Sequence, residues 1–195
     1  YTSNGSAVDI MVAKLDTAGN FAWVETFGSA AADIAGALTL DEDDNVYVTG
    51  NFQGNVNFGT HGSFTKVGVA MFYALKFNNS GDMQWAAVAN GSNTSATVGS
   101  TVTGLGLASD RNGHIYITGV YGHNVTFQSG GVTTANILTS AQKTNIFVMK
   151  LTTAGALDWA NGFESNRGAQ GNGITVDPQG NVYSVGIFKG TVDFD

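Results

Sequence analysis

The sequence predicts an all-β fold: four-stranded antiparallel sheets in radial array, a β-propeller, with about three blade-equivalents of a larger ring. Three observations predict it. Residues 35–58 read AGALTLDEDDNVYVTGNFQGNVNF, and the pattern returns at 104–127 and at 171–194. Tyr47, Tyr116 and Tyr183 mark one position of that pattern, 69 and 67 residues apart. A second motif, a strand pair around a short turn, recurs between the copies, and no stretch of helical length carries a 3.6-residue apolar period. Repetition at a fixed period is the mark of stacked supersecondary units, none of which can bury its own apolar face alone.

Taken in order, residues 1–8 read as the end of a connection. Residues 9–15 (DIMVAKL) form a strand, 16–20 (DTAGN) a turn and 21–27 (FAWVETF) a second strand. The turn glycine, Gly19, is free to take a positive φ. This hairpin recurs at 70–85 around the turn NNSGD and at 145–159 around TTAGA. Trp23, Trp85 and Trp159 each stand four residues after their turn glycine, and Lys14, Lys76 and Lys150 also correspond. The tryptophans are 62 and 74 residues apart. Two insertions explain the inequality, 90–103 and 128–144, both read as surface loops, where extra length is tolerated.

The opening repeat supplies the other two strands of each unit. They are joined by DEDDN at 41–45, DRNGH at 110–114 and DPQGN at 177–181. The leading Asp of each accepts hydrogen bonds from amides further along the turn. Gly113 and Gly180 suit a left-handed position, so Asp44 has to adopt it in the first copy. Pro178, second in its turn, fixes the φ of a type I geometry. Each strand that follows ends at a glycine, Gly50, Gly119 or Gly186. Four-stranded units in radial array are the blades of a propeller.

The strings DIMVAKLDTAGNFAW, NVYVTGNFQGNVNFG and NIFVMKLTTAGALDW resemble the bacterial seven-bladed β-propeller repeat (SBBP). The resemblance spans nearly the whole chain in three copies. Departures are Ser184, where the other copies have Val48 and Ile117, and Asp44 in place of the turn glycine. The resemblance implies that the Leu38-type strand lies nearest the axis and the Trp23-type strand outermost. On that basis residues 1–28 hold the outer strands of a first blade, 35–89 and 104–163 are blades, and 171–195 begin the inner strands of a last one. Three blade-equivalents fall short of the usual four to eight. Tyr1 opens inside a repeat, without an initiator Met or signal peptide, and Asp195 closes inside one, so the sequence reads as a piece of a longer polypeptide. The remaining blades of the same chain, or neighbouring copies, are the partners this implies.

Composition excludes several functions. Hydrophobic residues make up 43% and charged residues 12%, which is not the balance of a disordered chain. A net charge of −7, with eight scattered Lys and Arg, opposes nucleic-acid binding. No apolar run approaches the ~20 residues of a membrane helix, so membrane insertion is not expected. Cysteine is absent, which removes disulfides and thiolate metal sites.

Few residues suggest chemistry. Asp41, Asp43 and Asn45 place oxygens at alternate positions, as a calcium loop does. The glycine at position six and the glutamate at position twelve of an EF-hand loop are here Val46 and Phe52, and a solvated hairpin turn is the favoured reading. His114 occupies a turn, and His61 and His123 occupy loops, which opposes a zinc site or a catalytic triad. The tryptophans could stack sugars, yet their recurrence at one blade position favours packing. Five Asn-x-Ser/Thr sequons begin at Asn4, Asn78, Asn90, Asn93 and Asn124. No catalytic residue, cofactor or firm metal site is predicted. The expected function is a non-catalytic module of a larger secreted or cell-surface protein, a scaffold or adhesive surface with a protein or glycan partner. The alternatives are a self-assembling fibre or sheath subunit and a fragment of a carbohydrate-active propeller enzyme. The last requires paired carboxylates or a Tyr/His/Arg cluster converging on one face.

Overall fold

A computed structural model describes residue 3 and residues 7–91, 101–140 and 144–194. Among these residues there is no α-helix. The chain opens with the hairpin β1 (Ile10–Leu15) and β2 (Phe21–Phe27). A meander follows, of β3 (Ile34–Leu40), β4 (Val46–Phe52), β7 (Met71–Phe77) and β8 (Met83–Gly91). Its middle connection carries a small hairpin, β5 (Val56–Asn57) and β6 (Ser63–Phe64), closed by a 3-10 turn at Gly59–His61. The next meander is β9 (Val102–Ser109), β10 (Ile115–Tyr121), β13 (Asn145–Leu151) and β14 (Leu157–Ser165), with β11 (Val125–Ser129) and β12 (Val132–Leu138) in its middle connection. The pair β15 (Ala169–Val176) and β16 (Val182–Phe188) and the short β17 (Val192–Asp193) end the description.

The turns fix the meanders. Asp16 N–H donates to Asn20 O at 2.8 Å and Gly19 N–H to Asp16 O at 3.0 Å, with Gly19 at φ 84°. This is the three-residue loop in which a type I turn is followed by a left-handed residue. The same pair of bonds recurs in the turns at Asn78, Asp110, Thr152 and Asp177. At 41–45 the left-handed residue is Asp44, at φ 58°.

Insertion 128–144 is not simply a surface loop, and the expectation is corrected there. Gly130 and Gly131 both take positive φ, 54° and 79°, and Ser129 pairs directly with Val132. Two consecutive positive φ values make the type I′ turn that matches strand twist. The resulting hairpin does not extend its own sheet. It attaches to the previous one, with Phe127 opposite Ala89 and Val125 opposite Gly91, giving the order β12-β11-β8-β7-β4-β3. The following sheet receives β17 in the same manner, Ser165 opposite Val192. Each contiguous meander contributes four strands, and the outer edge is lengthened from the unit after it, by two strands in the first sheet and one in the second. Insertion 90–103 falls largely outside the described residues.

Two apolar clusters lie on either side of the β3-β4-β7-β8 sheet. Met71, Tyr73, Leu75 and Phe77 point to one, with Ile10 and Val12 of the first hairpin. Phe72 and Ala74 point to the other, with Ile115, Ile117 and Phe147 of the next sheet. Successive side chains of β7 therefore serve opposite faces, which is why the strand is apolar throughout instead of alternating. β10 is buried along its whole length, whereas the equivalent β16, with no sheet beyond it among the described residues, leaves Val185 68% exposed.

The strands nearest one another across sheets are β3, β9 and β15. They carry small residues because the backbones nearly touch. A Cβ on Gly104 would lie 2.0 Å from Thr49 Oγ1, and one on Gly171 would lie 2.1 Å from Thr118 Oγ1. Gly50, Gly119 and Gly186 do not end their strands, which run two residues further to Phe52, Tyr121 and Phe188; they sit opposite a bulge in the preceding strand, whose carbonyl aims at them. A Cβ on Gly119 would meet Thr103 O at 1.9 Å and the Phe147 ring at 3.0 Å. Gly119→Ala is expected to lower stability by about 2–3 kcal/mol, the scale of overpacking a filled core, measured by urea denaturation.

Candidate interaction surface

The five-residue turns gather on one rim of the molecule, and each is locked by its own side chains. Asp41 Oδ1 accepts from the amides of Asp43 (3.0 Å) and Asn45 (2.9 Å), and Asn45 Nδ2 donates to both carboxylate oxygens. The Tyr47 hydroxyl donates to Asp41 Oδ2 at 2.9 Å. Asp110 receives the amides of Asn112 and His114 and the Tyr116 hydroxyl at 3.0 Å. Asp177 receives those of Gln179 and Asn181 and the Tyr183 hydroxyl at 3.1 Å. The three tyrosines thus occupy one setting, six residues after the turn Asp. Of the calcium candidates, Asp41 is committed to its turn, Asn45 offers it N–H groups, and Asp43 is exposed. Among the described residues no group of three or more His, Cys, Asp or Glu is placed to hold a metal.

These bonds move the acids and phenols apart in acidity. Burial opposes ionisation of Asp41 and Asp110, but the donated hydrogen bonds outweigh it and hold both carboxyls below the usual value. Burial, then the facing carboxylate, raises Tyr47 and Tyr116. Tyr121 is pushed up to about 12 by burial and by Glu164.

The tryptophans join neighbouring sheets on the same rim. Trp23 Nε1–H donates to Asn79 O at 2.9 Å and Trp85 Nε1–H to Thr153 O at 3.0 Å. Each indole lies against the turn glycine of the following sheet: a Cβ on Gly81 would be 2.9 Å from Trp23, and one on Gly155 would be 2.6 Å from Trp85. Trp159 stacks at a tilt on Tyr116, 6.3 Å between centroids, and its N–H has no partner among the described residues. Lys76 and Lys150 lie over the Tyr47 and Tyr116 rings at 5.0 and 5.7 Å, a cation–π placement. Lys14 reaches the turn of the next sheet at Asn79.

The opposite rim carries the long connections, and polar residues sequence reasoning did not single out tie them together. Asp33, 2% exposed, accepts from the Ser29 hydroxyl at 2.8 Å and from Gln53 N–H at 3.1 Å. Its signal was weak, an Asp just ahead of an apolar run. The Ser165 hydroxyl is the counterpart of Ser29, accepting from Arg167 and Gly168 amides as Ser29 accepts from Ala31, and donating to Lys189 O at 2.8 Å. Asn90 donates to Thr65 O and accepts from Val67 N–H, so this sequon asparagine is buried and engaged. Asn124 is exposed, and Asn78 holds its own turn. The sequons at Asn4 and Asn93 lie outside the described residues. His61 lines a cleft of about 580 Å³ between β2 and the next sheet, His114 bonds to Asp110, and His123 takes a left-handed φ of 62° in its loop. The structure does not bring these histidines together at one site.

No family model matches the chain. It is 31% identical over 164 residues to an uncharacterized WD repeat-containing protein of Acanthamoeba polyphaga mimivirus, a match covering 77% of this chain. Stacked antiparallel meanders and a WD repeat relative agree. The fold is a partial β-propeller. The chain spans 11% of the length of that relative, so the meanders described above are blades of which the relative has room for many more.

Two outcomes follow from the rim contacts. Trp85→Phe and Trp159→Phe each replace an indole with a phenyl ring, but only the former loses a hydrogen bond, so it is expected to cost about 1 kcal/mol more, by urea denaturation of each. The lowered carboxyls of Asp41 and Asp110 mean that the folded chain binds fewer protons than the unfolded one near pH 4. Their contribution is complete above about pH 5 and is lost as the pH falls through the folded values. Melting temperature followed from pH 6 to pH 2.5 should fall less steeply in Asp110→Asn than in the parent.

Proposed function

We propose that this chain is a non-catalytic β-propeller module of a larger secreted or cell-surface protein, acting as a scaffold and interaction surface. The observation that carries the reading is that the repeat-equivalent polar residues are spent on the fold. Asp41, Asp110 and Asp177 lock turns, Trp23 and Trp85 latch blades, and Ser29 and Ser165, each six residues after its tryptophan, tie connections. The WD repeat relative supports an interaction role, and its far greater length supports further blades as the principal partners. Faces that such blades would cover are apolar: Leu38 and Leu40 on β3, and Tyr183, Val185 and Ile187 on β16, are all more than half exposed. The SBBP likeness supports a bacterial-type repeat and the extracellular location. A glycan or a protein fits the remaining polar surface. Calcium has no role in this reading.

The test is an immunoblot of source cells with an antibody against this chain, before and after protease treatment of intact cells. The expected result is a band far above 20.2 kDa that external protease removes or that is found in the medium. A band at the chain's own mass, or one protected inside intact cells, would overturn the reading. Hydrolysis of a polysaccharide panel by the purified chain would overturn its non-catalytic part.

A further inference from the structure

The outer edges of the blades are not treated alike. In the β3-β4-β7-β8 blade, β8 is covered from Ala87 to Gly91 by β11. The repeat-equivalent stretch of β2 in the first hairpin is residues 25–29. There the strand that would correspond to β11 is β5, and it turns away early. Gly59, at φ 61°, starts the 3-10 turn, and the chain folds back so that Val56 pairs with Phe64. β11 instead runs straight on to Ser129. β1 pairs with Glu25, Thr26 and Phe27 on one side; among the described residues no strand pairs with them on the other, and that is where the 580 Å³ cleft opens.

The cleft has a defined chemistry. Its floor is aromatic: Phe27 packs edge-on to Phe58 at 6.3 Å and stacks with Phe77 at 5.9 Å. Its rim carries the exposed carboxylates of Glu25 and Asp82, the latter also accepting from Asn78 Nδ2 at 2.9 Å; Asp9 lies partly buried at its inner end, and no Lys or Arg lines it. An uncovered strand edge is a template for another strand, since main-chain N–H and C=O groups supply affinity and alternate side chains supply selectivity. A rim of one sign selects a partner of the other and steers its approach.

We propose that the β2 edge from Glu25 to Phe27 is a docking slot for an extended basic segment of a partner protein, added as a further strand as β11 is added to β8. An apolar side chain of the segment lies on the phenylalanine floor, and its lysines or arginines meet Glu25 and Asp82. The proposal deepens the interaction-module reading and rests on it. It is tested on the purified chain alone, so it can fail while the location and size of the parent protein stand.

The probe is a fluorescein-labelled heptapeptide patterned on β11, Lys-Val-Thr-Phe-Lys-Ser-Lys, titrated at pH 7.5 and followed by anisotropy. Saturable binding is expected, weakened about tenfold or more by replacing the lysines with glutamates or by N-methylating alternate backbone amides. The substituted chain Glu25→Lys should lose the same affinity while its melting temperature stays within a few degrees of the parent, the position being exposed. No saturation below about 1 mM, equal affinity for the glutamate peptide, or indifference to N-methylation overturns the proposal. Self-association of the unliganded chain that Glu25→Lys abolishes would assign the slot to a second copy and overturn the peptide partner.

Discussion

Coverage of both faces of every sheet is the constraint on which this molecule depends. A four-stranded meander has two apolar faces and no helix to put over either. The chain answers by packing meander on meander, so that β7 sends Tyr73 and Leu75 one way and Phe72 and Ala74 the other. Burial of this kind contributes roughly 25 cal/mol for each Å² of apolar surface removed from water. It also dictates composition. The inner strands converge, so glycine and threonine replace larger residues there, and Gly104 lies on Thr49 as Gly171 lies on Thr118. The aromatic residues move outward, where the blades diverge and there is room to fill.

Polar residues hold what the apolar faces cannot orient. A sheet stack resists sliding only weakly, because apolar contact has little directional preference. Directional bonds at the turn rim set the spacing. Tyr47 reaches Asp41 in its own blade and Gly113 O at 3.4 Å in the next, and Trp85 spans to Thr153. Each lock uses a side chain whose partner is a carboxylate or a backbone carbonyl, and those partners are fixed by the turns themselves. The function argued above follows from this economy of polar groups: repeated positions are spent on structure, and what differs between blades lies in the long connections.

Much of this was legible in the sequence. Tyr47, Tyr116 and Tyr183 stood out by spacing, and four of the six five-residue turns announced themselves by an Asp or Asn with Gly three residues later, Thr152 and Asp44 being the departures. The antiparallel pairing within each hairpin also followed from the short turns, while the order from inner to outer strand came from the family resemblance. Two features were not legible for physical reasons. The hairpin of β11 and β12 was hidden because its polar, Thr-rich alternation resembles a loop, although Gly130-Gly131 between two runs was a hairpin signal. Burial was not legible from strand pattern alone, because β10 and β16 share a pattern yet differ in what covers them. The β2 cleft depends on where β5 turns back, at a 3-10 turn bracketed by the positive-φ glycines Gly59 and Gly62.

The handing of β11 to the preceding blade has a consequence for how the molecule comes apart. In a simple solenoid each unit meets its neighbour through side chains, and melting can stop at any boundary. Here a backbone ladder crosses the boundary, so opening one blade strips the edge of the blade before it. Fraying should therefore travel backward along the chain toward the N-terminus more readily than forward, giving the array a polarity in its unfolding that repetition of one strand pattern would not suggest.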